Sequence, residues 1–180
     1  WKSLDYPYGL TGAKEFWQSL GEQFGDPQGN WKIVYETAES AFRSHTGESL
    51  SKVYSYLQAL YSMPAAVIGA KAKCHGMKRF LEQELGMEVV VCEEREQVTD
   101  VERFYDKVRQ SEAAVLFGSS FERELAEKLE IPLVRFDYPV FDRLSLSWRC
   151  YVGEEGSLCL VEDILNEIMA ARNRKGALYQ

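Results

Sequence analysis

From Pro64 onward the sequence alternates short apolar runs with stretches whose apolar residues recur every three or four positions, and this alternation leaves few folds open. The runs are Ala65–Gly69, Glu88–Cys92, Ala113–Gly118 and Pro132–Phe136. Between them come Met77, Phe80, Leu81 and Leu85, then Val101, Phe104, Tyr105 and Val108, then Phe121, Leu125 and Leu129, all at helical spacing. A last helical stripe carries Leu158, Val161, Leu165 and Ile168 before the charged tail from Arg172 to Gln180. Continuous apolar runs of this length read as strands covered on both faces. The order β-α-β-α-β-α-β-α with right-handed crossovers predicts an α/β fold. The expectation is a Rossmann-like, four-stranded parallel sheet flanked by helices, with the Ala65–Gly69 strand internal. Thr99 with Glu102, and Ser119 with Glu122, have capping-box spacing and predict two helix starts.

The first third is helical and rich in aromatics. An irregular lead-in with Pro7, Gly9 and Gly12 precedes a helix carrying Phe16, Leu20 and Phe24, which Gly25–Gly29 breaks. From Trp31 to Met63 two stripes follow: Val34, Tyr35, Ala38, Ala41 and Phe42, then Leu50, Val53, Tyr54, Leu57, Leu60 and Tyr61. Gly47 is expected to divide them, and Pro64 to end the second. The chain therefore divides into a helical extension over 1–63, packing on the core, and a Rossmann-like domain over 64–180.

A chain of 180 residues can bury roughly 70% of its unfolded surface, so it needs neither disulfides nor metal to fold. Its net charge of −7 argues against nucleic acid as a partner, because phosphates call for clustered Lys and Arg. No apolar run approaches ~18 residues, so no membrane span is expected, and no signal peptide is read. The first residue is Trp1 rather than Met, as expected of a piece cut from a longer polypeptide. The cysteines, Cys74, Cys92, Cys150 and Cys159, form no C-x-x-C pair and read as reduced thiols of a cytoplasmic protein.

In such sheets ligands gather beyond the C-terminal ends of the strands. The loop after the first run holds Lys71 and Lys73 at a helix start, where an anion can bind, but it has neither dinucleotide nor P-loop glycine spacing. Cys74 at that helix start is expected to have a lowered thiol pKa. Cys74 and Cys92 are weak candidates for a shared iron–sulfur site, set against plain packed thiols. His45 reads as a packed or surface residue. Ser119 and Ser120 are candidates for an anion contact, set against local capping. No G-x-S-x-G elbow is present, and no His follows these serines in the chain. The fourth loop is densest in chemistry: Tyr138, Phe141 and Arg143 are candidate cleft or interface residues. The alternative is structural pairing, Asp142 with Arg143 or Arg135 with Asp137.

The segment from Leu129 through Ile131, Pro132 and Arg135 to Tyr138, Pro139, Val140, Phe141, Asp142 and Arg143 resembles a signature of nitrogenase component 1 subunits, most closely the β-type and its cofactor-assembly relative. Weaker likenesses agree in order: Lys78–Met87, Leu116–Ser120, Gly153–Gly156, Ile164–Ile168 and the lead-in from Pro7 to Thr11. The group also contains light-independent protochlorophyllide reductase. The resemblance implies a subunit of several Rossmann-like domains, of which this is the C-terminal one. It implies a homologous partner subunit, an ATP-dependent iron protein as electron donor, and an iron–sulfur or related metallocluster in the full complex. No cofactor is expected in this chain itself, and alone it is expected to be inactive. Ser119, Asp137, Tyr138 and Glu154 depart from the family pattern, which counts against a dinitrogen-reducing nitrogenase. The local match is to the β-type, where the cofactor-ligating His of the α-type has no counterpart, so no metal ligand is carried over. The chain is thus expected to wall a cofactor or substrate cleft and form a subunit interface in a multi-electron reductase. The alternatives are a non-catalytic scaffold for metallocofactor assembly and a generic small-anion module.

Overall fold

The structure is a computed structural model. It describes residues 3–26, 28–144, 146 and 149–177, and only the backbone of 44–46, 48–50, 154 and 175–177. Four strands, β1 (Pro64–Gly69), β2 (Glu88–Glu94), β3 (Val115–Gly118) and β4 (Leu133–Arg135), form one parallel sheet in the order β2-β1-β3-β4. β1 is internal, as its unbroken apolar run requires. Alternate residues of β1 face opposite ways. Ala65 and Val67 join a core with Met77, Phe80, Leu81, Leu160 and Ile164, from α4 (Lys71–Gln83) and α7 (Gly153–Ala177). Ala66 and Ile68 join a second core with Phe104, Val108 and Leu125, from α5 (Val101–Gln110) and α6 (Arg123–Leu129). The result is a doubly wound α/β/α sandwich.

Edge strand β2 departs from the expected full burial. Its pairing with β1 skips Val90, which is exposed. The capping box at Ser119 and Glu122 forms as expected and opens a short 3-10 turn ahead of α6. That at Thr99 does not: Asp100 caps α5, accepting the Arg103 N–H at 3.2 Å.

The helices ahead of β1 differ from expectation in three ways. α1 (Gly9–Phe24) begins earlier than expected, because the Glu84 carboxylate, at the end of α4, accepts the N–H groups of Leu10 and Thr11 at 3.0 and 2.8 Å. Its buried face is Gly9, Gly12, Ala13 and Gly21, while Phe24 stands in solvent. α2 (Asn30–Lys52) runs through Gly47 and breaks at Val53, before α3 (Tyr54–Gln58). Within it Tyr35 and Phe42 are buried, whereas Val34 and Ala41 are exposed. His45 and Leu50 lie outside the described side chains. α7 stays helical to Ala177, well into the charged tail.

The lead-in is tied to the core. The Tyr6 N–H donates to the Ala72 carbonyl at 3.1 Å and the Gly153 N–H to that of Pro7 at 2.8 Å. The close approach depends on Gly76, where a Cβ would stand 2.4 Å from the Tyr6 carbonyl oxygen.

Candidate functional site

The lead-in, the start of α4, the fourth loop and the approach to α7 enclose a cleft of about 470 Å³ beyond the C-terminal ends of β1 and β4. Tyr138 and Arg143 line it, with Tyr6, Lys73, Arg149 and Tyr151. Tyr8 forms its floor: it is 2% exposed, with its ring centroid 5.8 Å from that of Tyr6 and 6.2 Å from that of Phe136. Burial pushes the Tyr8 hydroxyl pKa far up, so the phenol stays protonated. The Lys73 ammonium lies between two rings, 5.4 Å from the Tyr6 centroid and 4.8 Å from that of Tyr138, and donates to Asp137 at 2.8 Å.

Asp137 fills the place beyond β1 where such folds commonly seat an anion. Its carboxylate accepts the Ala70 N–H at 2.8 Å, just ahead of α4, and lies 3.8 Å from Arg95 Nε. Burial works to raise its pKa, but the Lys73 ammonium and the Ala70 amide outweigh it and hold the carboxyl below its ordinary value. Beside it Arg95 grips Glu122 through two bonds of 2.9 Å and reaches Ser119 Oγ at 3.2 Å.

The remaining charges are also paired. Arg135 holds Asp142 bidentately at 2.8 and 2.6 Å, and the Ser120 hydroxyl donates to the same carboxylate. Arg143 donates to Asp163 at 3.1 Å and to Glu167 at 3.4 Å. Asp163, 1% exposed, also accepts from Arg149 and the Tyr151 hydroxyl. Burial first, then the Asp163 carboxylate, pushes the Tyr151 pKa upward.

Of the sequence candidates, Tyr138 and Arg143 meet at the cleft. Ser119 and Ser120 do not line it; they are buried beneath the loop, bonded to Glu122 and Asp142. Lys71 is exposed, 3.9 Å from Glu94. Its companion Lys73 faces the cleft instead, because helix positions two apart point to different sides. The ion pairs also differ from both structural pairings expected, being Arg135 with Asp142, Lys73 with Asp137, and Arg143 with Asp163. Tyr6, Arg149 and Tyr151 line the cleft without being sequence candidates. The aromatic lead-in was the available signal for Tyr6; Arg149 and Tyr151 carry no local motif.

Cys74 and Cys92 are neighbours, with sulfurs 3.0 Å apart. The expected low pKa of Cys74 is reversed: hydrogen bonding to Cys92 and burial push it upward, while the same bond lowers that of Cys92. Among the described residues no three His, Cys, Asp or Glu side chains gather to hold a metal, so the pair by itself supplies two ligands where a cluster takes three or four.

The doubly wound sheet with a cleft at its carboxyl edge places the chain among Rossmann-like domains. The chain belongs to the family of nitrogenase component 1 type oxidoreductases, whose model matches residues 1–169. The nitrogenase molybdenum-iron protein beta chain of Methanococcus maripaludis is 30% identical over 133 residues, 61% of this chain and 29% of that protein. That of Azospirillum brasilense is 24% identical over 93% of this chain and 34% of its own length. The nitrogenase iron-molybdenum cofactor biosynthesis protein NifN of Rhodobacter capsulatus is 36% identical over 75 residues, 42% of this chain and 16% of that protein. This chain thus spans about a third or less of these relatives. The solved structure of nitrogenase Cp1 at pH 6.5 shares the fold, with a TM-score of 0.72 at 22% identity over 96% of this chain and 41% of that one. No helix among the described residues is long and apolar enough to cross a membrane.

Proposed function

We propose that the chain is the C-terminal domain of a nitrogenase component 1-like oxidoreductase subunit. In this reading the face around Tyr138, Phe141 and Arg143 walls a cofactor or substrate cleft and meets a homologous subunit. The carrying observation is the fourth loop: Tyr138 and Phe141 are 76% and 65% exposed while Arg135, Asp142 and Ser120 pin the backbone beneath them. Large aromatic rings held outward on a fixed loop are suited to contact with another surface. The chemistry belongs to a metallocluster held elsewhere in the complex, with electrons from an ATP-dependent iron protein in the cytoplasm. This chain contributes shape: it positions a wall and excludes water.

The test is a complete complex assembled anaerobically around Tyr138→Ala or Phe141→Ala. Loss of subunit association, or at least a tenfold loss of ATP-dependent reduction, is expected while circular dichroism of the variant chain stays unchanged. Unchanged association and activity would remove the assignment. The similarity to NifN favours a second reading, a scaffold for metallocofactor assembly. A complex that carries a releasable cluster precursor yet reduces no substrate would decide for it.

A further inference from the structure

Cys74 and Cys92 lie apart from the cleft, and nothing above gives them a task. Cys74 sits in the first turn of α4 and is fully buried; Cys92 lies on edge strand β2 and is half-buried. Their sulfurs, 3.0 Å apart, are about 1 Å beyond the ~2.05 Å of a disulfide. Closing the bridge needs the two sulfurs to approach by that distance. Metal binding is the other common use of paired thiols, and it lacks further ligands among the described residues.

We propose that Cys74 and Cys92 form a reversible disulfide that fastens the start of α4 to the edge strand under oxidising conditions. The unequal burial assigns the roles. Cys92 is the less buried of the two and so the one an oxidant meets first, while Cys74 is closed off behind it. With a peroxide, the Cys92 thiolate attacks one oxygen and the O–O bond breaks. Sulfenic acid forms on Cys92, and the departing hydroxide takes up the proton that Cys92 released, giving water. The Cys74 sulfur then attacks the Cys92 sulfur. The S–O bond breaks, and the hydroxyl leaves with the Cys74 proton as a second water. Two thiols lose two electrons in total and the peroxide gains them. A small-molecule disulfide reaches the same product by thiol–disulfide exchange, releasing two thiols, and a dithiol reverses it. Cys74 directly follows Lys73, the residue that holds Asp137, so the cross-link fixes the cleft wall at its root.

Peptide mapping of the protein tests this. The reduced protein is treated with hydrogen peroxide, or with oxidised glutathione, and digested under non-reducing conditions. Peptides containing Cys74 and Cys92 are expected to appear joined, lighter by two hydrogens than the separate pair, and to separate again with dithiothreitol. Cys74→Ser is expected to leave a dimedone-reactive sulfenic acid on Cys92, and Cys92→Ser to leave Cys74 unmodified. Exposed Cys150 and half-buried Cys159 act as internal controls. Two freely alkylated thiols at 74 and 92 after both oxidants, or a dominant cross-link through Cys150 or Cys159, would overturn the proposal. The unmutated map decides this even where a serine variant folds poorly.

Discussion

Replacing Asp142 by Asn keeps the side chain's shape and removes the charge that Arg135 grips through bonds of 2.8 and 2.6 Å. That guanidinium pulls the Asp142 pKa from 3.8 to about 2, against the opposing effect of burial and with help from the Ser120 hydroxyl. A lowering of about 1.8 units, at about 1.36 kcal/mol each, stabilises the folded chain by roughly 2.4 kcal/mol. The side chain is only 5% exposed, but its loop is shallow, so about 2 kcal/mol is the upper figure. Because the folded pKa lies below the unfolded one, the contribution is complete above about pH 4 and is lost as pH falls through about 2. Urea denaturation across this range measures it. Asp142→Asn is expected to be about 2 kcal/mol less stable at pH 7, a midpoint shift of about 1 M at a slope near 2 kcal/mol/M. The gap is expected to narrow steadily below pH 4. A deficit that stays constant on acidification would refute the reasoning, because the loss would then come from amide geometry and not from charge.

Arg143→Ala is expected to cost the isolated chain only about 1 kcal/mol in the same assay, since Arg149 and Tyr151 remain on Asp163; a loss of about 3 kcal/mol or more would mean that Asp163 depends on Arg143 and that the residue is structural. Gly76→Ala is expected to lose about 1–2 kcal/mol despite Ala's better helix propensity, because the new methyl meets the Tyr6 carbonyl; unchanged stability would show that the lead-in yields freely. After anaerobic reconstitution with iron and sulfide, the isolated chain is expected to carry no stoichiometric iron by metal analysis. One cluster per chain, lost in Cys74→Ser or Cys92→Ser, would make the pair ligands.

The sheet was legible because its signal is local: four apolar runs between helical stripes leave little choice of architecture. The extension was less legible because its decisive contacts are distant in sequence. Glu84 caps α1 from 74 residues away, and no spacing rule sees that. Gly47 marked the wrong break because one glycine costs a helix only about 1 kcal/mol, which a long helix tolerates. In α1 the glycines and Ala13, not the Phe16, Leu20 and Phe24 stripe, form the buried face, because small residues let the helix approach the core and leave Phe24 outside. At the site, residue types were visible and partners were not. β4 ends at Arg135, so the chain turns there and Asp137 reaches the Ala70 amide at the head of α4, leaving Arg135 to Asp142. The two capping boxes have the same spacing, but an aspartate next to Thr99 captured one helix start. A pattern of residue types cannot rank such neighbouring acceptors.

This pairing bears on what the carboxyl edge can accept. Asp137 takes the Ala70 amide and Lys73, Glu122 takes Arg95, Asp142 takes Arg135, and Asp163 takes Arg143 and Arg149. A small anion entering here would have to displace a carboxylate already held by charge-assisted hydrogen bonds, and the displaced carboxylate would remain beside it as a like charge. This weighs against the reading as an anion-binding module. The chain's exposed resource at this edge is aromatic and aliphatic: Phe121, Tyr138, Val140 and Phe141 all stand exposed, Tyr138 with Lys73 against its ring at 4.8 Å, and the Phe121 and Phe141 rings meet edge to face at 6.1 Å. A rim whose charges are neutralised internally and whose apolar groups face out gains free energy by covering those groups, whatever charge the other surface carries. That preference suits a wall completed by another domain or subunit, and it makes the aromatic variants, not the arginine one, the sharper test of the proposed function.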